Sequence, residues 1–202
     1  QTCALPILLD ELLDLPGIER HRLPIHDHTR MSLAVFERST GREYRFVPEG
    51  PLVSEAEWGA ALDHCAGIKG GWLVASGSLP RGVPVDFYAR LARLLAPRGV
   101  RLALDTSGDA LAAAIEAGGL DLVKPSQGEF EALMGTRFSG PEAIGEAALG
   151  LVRTGKARRI AVTLGHLGAV LADADGVMLH PGLTVAVQSA TGAGDSFTAG
   201  MV

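Results

Sequence analysis

The alternation of apolar and polar positions along the chain changes near residue 72. Before that point, residues 30–36 and 43–47 alternate apolar with polar side chains on either side of Ser39-Thr40-Gly41, a pattern typical of a β-hairpin. After it, short apolar runs alternate with stretches whose apolar residues recur at helical spacing. Strand–helix alternation forms right-handed parallel crossovers, so residues 72–164 predict an α/β layer whose central sheet is covered on both faces.

Capping and helix-breaking residues set the predicted boundaries. Ser54 followed by Glu57 has the pattern of a capping box, and Pro16-Gly17 and Gly118-Gly119 end helices. The predicted helices are 8–15, 55–66, 84–96, 109–117, 126–134, 141–154 and the residues that follow Gly192–Asp195. After the hairpin, the predicted strands are 72–76, 100–105, 120–124, 159–164, 169–173, 176–179 and 184–187. The hairpin, at about 29–48, lies outside the crossover pattern and is predicted to be a small flap.

Composition narrows the class of protein. Of 202 residues, 47% are apolar and 20% charged, and 23 Asp and Glu exceed 18 Lys and Arg to give a net charge of −5. These fractions are typical of a globular chain, and an acidic chain without a basic run argues against a nucleic-acid surface. No apolar run approaches the ~20 residues of a membrane span, and two cysteines are too few for a disulfide framework. We expect a cytoplasmic protein with neither nucleic-acid nor membrane partners.

The first seven residues are interpreted separately. Gln1–Ile7, QTCALPI, can be back-translated into a common sequencing adapter read in frame. Our hypothesis is that residues 1–7 are an assembly artefact and that residues 8–202 belong to a reading frame that begins upstream. The alternative is a native N-terminal strand.

Candidate chemistry lies where ligands of parallel sheets bind, beyond the carboxyl ends of the strands. The sharpest motif is Gly192-Ala193-Gly194-Asp195 at a helix start. Small residues there let backbone N–H groups converge on an anion, and the aspartate can accept a proton from a hydroxyl beside it. Both parts are needed for phosphoryl transfer. The structural alternative is a tight turn followed by an aspartate that favours the helix dipole.

The other candidate segments have plain structural interpretations as well. SGSLPRG (76–82) is either a phosphate- or sugar-binding loop or a turn, and residues 163–168 are a hairpin loop or a nucleotide contact. Ser126 with Glu129 is a capping box that needs no ligand. Three histidines at 21, 26 and 28 lack the ligand spacing of a zinc site.

Taken in order, these segments resemble the PfkB carbohydrate kinases of the ribokinase-like superfamily, over almost all of residues 8–202. The resemblance implies a three-layer α/β fold with a mostly parallel central sheet and a small β-hairpin lid. Within the family it is most similar to the minor-type, ATP-dependent kinases of fructose 6-phosphate, with kinases of fructose 1-phosphate and tagatose 6-phosphate as alternatives. The segments that carry it are Thr29-Arg30, YRFVPEGP (44–51), SGSLPRG (76–82), LDTSGDAL (104–111), VKPSQGEF (123–130), TLGHLG (163–168) and TGAGDSF (191–197).

The resemblance also implies residue roles. Asp195 corresponds to the catalytic base, and Gly192–Gly194 to the anion hole for the transferring phosphate. Arg30 and Ser78 correspond to contacts with the phosphate already on the sugar, and Glu129 to a glutamate linked indirectly to Mg²⁺. The positions that correspond to ATP contacts are Lys124, Ser126, Thr163, Gly165 and Gly168. The implied ligands are ATP as co-substrate, Mg²⁺ and a sugar phosphate, and the lid implies a homodimer.

The chain departs from the family pattern in three ways. Ser126 stands where the family's N-x-x-E element has asparagine, and Ser32 where the ketose-phosphate branch often has asparagine. The family's first strand, with a sugar-binding aspartate and a glycine-rich element, has no counterpart here, and the family continues beyond Val202. We therefore expect these 202 residues to be inactive by themselves. The alternative, from a functional class other than enzymes, is a non-catalytic nucleotide-binding domain.

Overall fold

A computed structural model describes residues 11–185 and 192–202 of the chain. The chain divides into two units. The first comprises Gln1–Asp63 with Pro80–Val83, and the second His64–Leu79 with Pro84–Val202. The adapter hypothesis concerns residues 1–7 and so lies outside the described residues.

The first unit contains the predicted hairpin. Strands β1 (Leu33–Glu37) and β2 (Arg42–Phe46) are antiparallel, with register from Leu33 opposite Phe46 to Glu37 opposite Arg42. After it, Ser54 donates from its N–H and from Oγ to Glu57 Oε2, both at 2.7 Å. This capping box begins helix α1 (Glu55–Ala66), whose predicted boundaries are confirmed.

The second unit is built on a six-stranded sheet whose spatial order is the order of the chain. The first four strands pair in parallel, and the fifth pairs antiparallel with its neighbours on both sides, which confirms the mostly parallel sheet of the predicted α/β class. The strands are β3 (Trp72–Ser76), β4 (Arg101–Asp105), β5 (Leu120–Val123), β6 (Ala157–Thr163), β7 (Gly168–Asp173) and β8 (Gly176–Pro181).

Helices cover both faces of this sheet. Because β3 to β6 step in one direction and such crossovers are right-handed, the connecting helices share one face. The last helix packs on the other, where its Phe197 and Met201 contact Ala103, Leu122 and Ala161. None of the described helices is long and apolar enough to cross a membrane. The helices are α2 (Phe87–Leu95), extended by a 3₁₀ turn (Ala96–Arg98), α3 (Gly108–Ala117), α4 (Gln127–Met134), α5 (Pro141–Arg153) and α6 (Ala193–Met201).

Three predicted elements need correction. The helix at 84–96 begins only at Phe87, after a turn in which Phe87 N–H donates to Pro84 O. A strand at 184–187 is wrong for residues 184 and 185, which are irregular, while 186 and 187 lie outside the described residues. Of the helix at 8–15, residues 11 and 12 are helical and residue 13 is a turn, with residues 8–10 outside the description.

Two glycines of α5 provide a matched test of how this helix packs on the sheet. A β-carbon at Gly145 would lie 2.5 Å from Val177 Cγ1 and 3.2 Å from Val170 Cγ1, whereas one at Gly150 meets nothing within 4 Å. We predict that Gly145→Ala lowers the free energy of unfolding by about 1–3 kcal/mol through overpacking. Gly150→Ala should raise it by about 0.5–1 kcal/mol through helix propensity. Urea denaturation measures both, and equal effects of the two substitutions would contradict this packing.

Candidate active site

The start of α6 meets the carboxyl ends of the parallel strands. Ser76, the last residue of β3, donates from Oγ to Asp195 Oδ1 at 3.4 Å. A β-carbon built on Gly194 would lie 3.3 Å from Lys124 Nζ, just after β5. The first amide N–H groups of a helix have no intrahelical partner, and the helix dipole makes this end positive. The motif at 192–195 therefore lies at the sheet edge where ligands bind.

Lys124 brings a second positive charge to the same place. The residue is only 6% exposed, and its Nζ lies 3.1 Å from Asp105 Oδ1, at the end of β4. A buried ammonium requires a paired charge, and Asp105 supplies it. The ammonium and the free amide N–H groups at the start of α6 are the groups of this edge that favour an anion such as a phosphate.

Asp105 lies in a site crowded with carboxylates. Burial raises the pKa of the Asp105 carboxyl above its ordinary value, and the negative charges of Glu129 and Asp195 raise it further. The hydrogen bond and the positive charge of Lys124 each lower the pKa, but the net pKa of Asp105 remains raised. Three charged side chains from three other parts of the chain therefore act on the Asp105 carboxyl at this edge.

The buried polar side chains of the described chain also cluster here. They are Thr106, Lys124 and Thr198. Thr198 lies in α6 and donates from Oγ1 to Gly194 O at 3.0 Å, and Thr106 directly follows β4. Burying polar groups is costly unless they are hydrogen-bonded, so their concentration at one edge marks a site rather than ordinary core.

Most residues with an implied ATP contact lie together beside Lys124. The backbones of Ser126 and Thr163 form a parallel bridge, and Thr163 N–H donates to Pro125 O at 3.0 Å. Gly165 opens a 3₁₀ turn that leads into Gly168, the first residue of β7. The predicted hairpin loop at 163–168 is thus present, at the ends of neighbouring strands.

The capping box of α4 is also present. Glu129 Oε2 accepts the N–H of Ser126 at 2.7 Å and its hydroxyl at 2.8 Å. One oxygen of Glu129 and the hydroxyl of Ser126 are therefore engaged in the helix cap. The carboxylate of this cap is also the one for which the resemblance implies an indirect link to Mg²⁺.

The two residues with an implied sugar-phosphate contact lie in different units. Ser78 belongs to the second unit and follows Ser76 by two residues. Arg30 belongs to the first unit, where its Cδ lies 3.7 Å from the position of a β-carbon on Gly50.

Four residues of this edge had no role assigned from the sequence: Ser76, Tyr88, Asp105 and Thr106. Nothing in the spacing of LDTSGDAL (104–111) shows that Asp105 faces Lys124. Tyr88 lies within the predicted helix at 84–96, and the contact of its hydroxyl with Gly77 O requires the folded chain.

The pair of Lys124 and Asp105 predicts a pH-dependent stability. Because the pKa of Asp105 is raised on folding, the folded state binds its proton more tightly, and the free energy of unfolding falls as the pH rises from about 3.9 through the raised pKa. Lys124→Met removes the group that lowers this pKa. The pH range over which the free energy of unfolding falls therefore extends to higher pH. We expect the free energy of unfolding to fall by about 3–5 kcal/mol at pH 8 and by less at pH 5, measured by urea denaturation.

Two variants control this measurement. Lys156→Met breaks a more exposed contact, 3.6 Å from Glu116, and should show no added pH dependence. Lys124→Met combined with Asp105→Asn should remove the pH dependence that the single variant gains. Parallel pH curves for Lys124→Met and the unmodified chain would contradict the coupling.

Known proteins resemble this chain in sequence and in structure. It is 36% identical over 196 residues to ATP-dependent 6-phosphofructokinase isozyme 2 of Escherichia coli (strain K12), a match that covers 96% of this chain and 62% of that protein. It is 35% identical over 196 residues to 1-phosphofructokinase of Rhodobacter capsulatus, covering 96% of this chain and 59% of that protein. The chain thus spans about 60% of the length of these relatives.

A solved structure shows the same fold. Phosphofructokinase-2 from Escherichia coli in its tetrameric inhibited form superposes with a TM-score of 0.88 at 35% sequence identity, over 98% of this chain and 64% of that one. The sequence pattern of pfkB family carbohydrate kinases matches residues 8–202. The fold, the order of the motifs and these matches together confirm the resemblance: the chain belongs to the pfkB family of carbohydrate kinases.

Proposed function

We propose that this chain carries the phosphoryl-transfer centre of an ATP-dependent kinase that converts fructose 6-phosphate to fructose 1,6-bisphosphate. The observation that supports it most is the position of Asp195, a carboxylate at the N-terminus of α6 beside Ser76 and within the electrostatic reach of Asp105. A domain that only binds a nucleotide has no need of a base beside its anion site. Since the substrates, ATP and a sugar phosphate, are metabolites of the cytoplasm, the proposal includes a cytoplasmic location.

In the proposed reaction Asp195 accepts the proton of the C1 hydroxyl as its oxygen attacks the γ-phosphorus of ATP. The bond from that phosphorus to the bridging oxygen breaks, and ADP leaves with the bond's electron pair. The amide N–H groups of residues 192–194 and the ammonium of Lys124 stabilise the charge on the transferring group. Ser76, within 3.4 Å of Asp195, orients the base.

The proposal assigns ATP to the edge formed by Lys124, Ser126, Thr163, Gly165 and Gly168. Mg²⁺, when bound with ATP, would neutralise phosphate charge. The described residues contain no group of three or more His, Cys, Asp or Glu that could hold a metal by themselves. Kinase Mg²⁺ is commonly held by one or two carboxylates with phosphate oxygens and water. Glu129, whose negative charge raises the pKa of Asp105, fits that indirect role.

The position of the phosphate already on the sugar decides between the candidate substrates. Fructose 1-phosphate would present its C6 hydroxyl to the same base, and a 1-phosphofructokinase is among the relatives of this chain. Tagatose 6-phosphate would use the same chemistry again. Fructose 6-phosphate is the leading candidate because the phosphofructokinase-2 of Escherichia coli is similar to the chain in both sequence and fold. The proposal includes Arg30 and Ser78 as contacts to that phosphate.

The test of this function is an ADP-release assay on the protein at the length that its gene locus encodes, with the 202-residue chain beside it. We expect turnover by the former only. Fructose 6-phosphate, fructose 1-phosphate, tagatose 6-phosphate and ribose are compared. Asp195→Asn should lower kcat by about 10²- to 10⁴-fold, because the amide cannot take the proton, while KM for ATP stays within a factor of two.

The matched control is Glu142→Gln, which changes another acid in the first turn of a helix, α5, and should keep full activity. Preference for another ketose phosphate would change the assigned substrate and leave the proposed mechanism unchanged. ATP binding without turnover on any sugar would overturn the kinase proposal in favour of a nucleotide-binding domain.

We also propose that the hairpin forms a homodimer contact. Leu33, Val35, Tyr44 and Phe46 share one face of β1 and β2, since Leu33 pairs with Phe46 and Val35 with Tyr44. Each of the four is 43–57% exposed. A two-stranded hairpin is marginally stable in water. Packing of this apolar face against the same face of a second copy would bury it and stabilise the hairpin. The tetrameric form of phosphofructokinase-2 is a property of that protein, and it is consistent with self-association in the family.

Light scattering coupled to size exclusion tests this contact. Phe46→Ser should convert the dimer to a monomer, because it places a hydroxyl in the apolar face. Phe36→Ser is the matched control, since Phe36 pairs with Glu43 on the opposite face and is 60% exposed. A monomeric unmodified protein, or equal loss of the dimer in both variants, would contradict the proposal.

A further inference from the structure

The backbone of Gly77, between Ser76 and Ser78, is held by side chains that the mechanism above does not use. Gly77 O accepts a hydrogen bond from Tyr88 Oη at 2.8 Å and another from Thr106 Oγ1 at 2.9 Å. Gly77 N–H donates to Asp105 O at 2.8 Å. Three contacts, from α2 and from the end of β4, therefore fix a single residue of the turn.

These donors are buried. Tyr88 is 6% exposed and Thr106 is 5% exposed, and a buried hydroxyl without a partner is costly. Gly77 itself adopts a φ of +109°, a conformation that other residues rarely take. A carbonyl has two acceptor lone pairs, and both donors reach this one. The orientation of the Gly77–Ser78 peptide is thus determined more strictly than a surface turn requires.

Rotation of this peptide would move the two flanking serines relative to each other. Ser76 Oγ donates to Asp195 Oδ1 at 3.4 Å, and Ser78 is the proposed contact of the sugar phosphate. The distance between the general base and the phosphate-binding hydroxyl therefore depends on the Gly77 peptide. Displacements of about 1 Å are enough to impair positioning of a bound substrate.

We propose that Tyr88 and Thr106 are positioning residues that set the spacing between Asp195 and the phosphate of the acceptor sugar by holding Gly77 O. The inference rests on the proposed sugar-phosphate kinase activity. Neither side chain touches the reacting atoms. Since each hydroxyl alone leaves the carbonyl hydrogen-bonded, the loss of one is tolerated and the loss of both is not.

The test measures KM and kcat in the protein at the length that its locus encodes, with Tyr88→Phe, Thr106→Val and the double variant. Each substitution removes the hydroxyl and keeps the volume. We expect either single variant to raise KM for the sugar phosphate by less than about threefold and the double variant by at least about tenfold. KM for ATP should stay within a factor of two in all of them.

Tyr88→Phe combined with Thr106→Ser is the conservative rescue, because serine keeps a hydroxyl at residue 106, and it should restore the KM of the Tyr88→Phe variant. A double variant with lower urea resistance but an unchanged KM for the sugar phosphate would show a merely structural role and overturn the inference. Equal rises in both KM values would also overturn it. If the unmodified protein phosphorylates no sugar, the proposed function fails and this inference fails with it.

Discussion

The ion pair between Lys124 and Asp105 is the constraint on which the rest of the site depends. An ammonium that is 6% exposed lies next to the positive end of a helix, and one carboxylate 3.1 Å away balances it. Removal of either charge would leave the other buried without its partner. The pair joins the ends of β4 and β5 beside the start of α6, where the free amide N–H groups of the helix favour an anion such as a phosphate.

Side-chain alternation in the strands explains how one helix can reach this point. In β4, Ala103 and Asp105 lie on the same face, since side chains two residues apart in a strand share a face. Ala103 contributes to the apolar cluster on which Phe197 and Met201 rest, and Asp105 lies beyond it at the edge. The apolar end of α6 is therefore seated on the middle of the sheet while its N-terminus is placed over the polar edge.

The helix cap of α4 and the proposed nucleotide contacts involve the same residues. Ser126 and Glu129 satisfy the first amides of the helix through a capping box, which stabilises the helix whether or not a ligand binds. The backbone of Ser126 forms a bridge with that of Thr163. A structural role in the cap and a role in nucleotide binding are therefore compatible, because the cap uses Oε2 of Glu129 and holds the helix start in place.

The sequence by itself determined the elements and their order. The short apolar runs at 72–76 and 100–105, the caps at Ser54 and Ser126, and the small residues before Asp195 are local signals. They predict strands, helices and an anion-binding helix start. Only the tertiary structure decided which side chains meet. Asp105 pairs with Lys124, and Tyr88 with Thr106 converges on Gly77 O, because the parallel crossovers bring together strand ends far apart in the chain. Such contacts depend on strand register and on burial in the folded chain, and a local sequence pattern predicts neither.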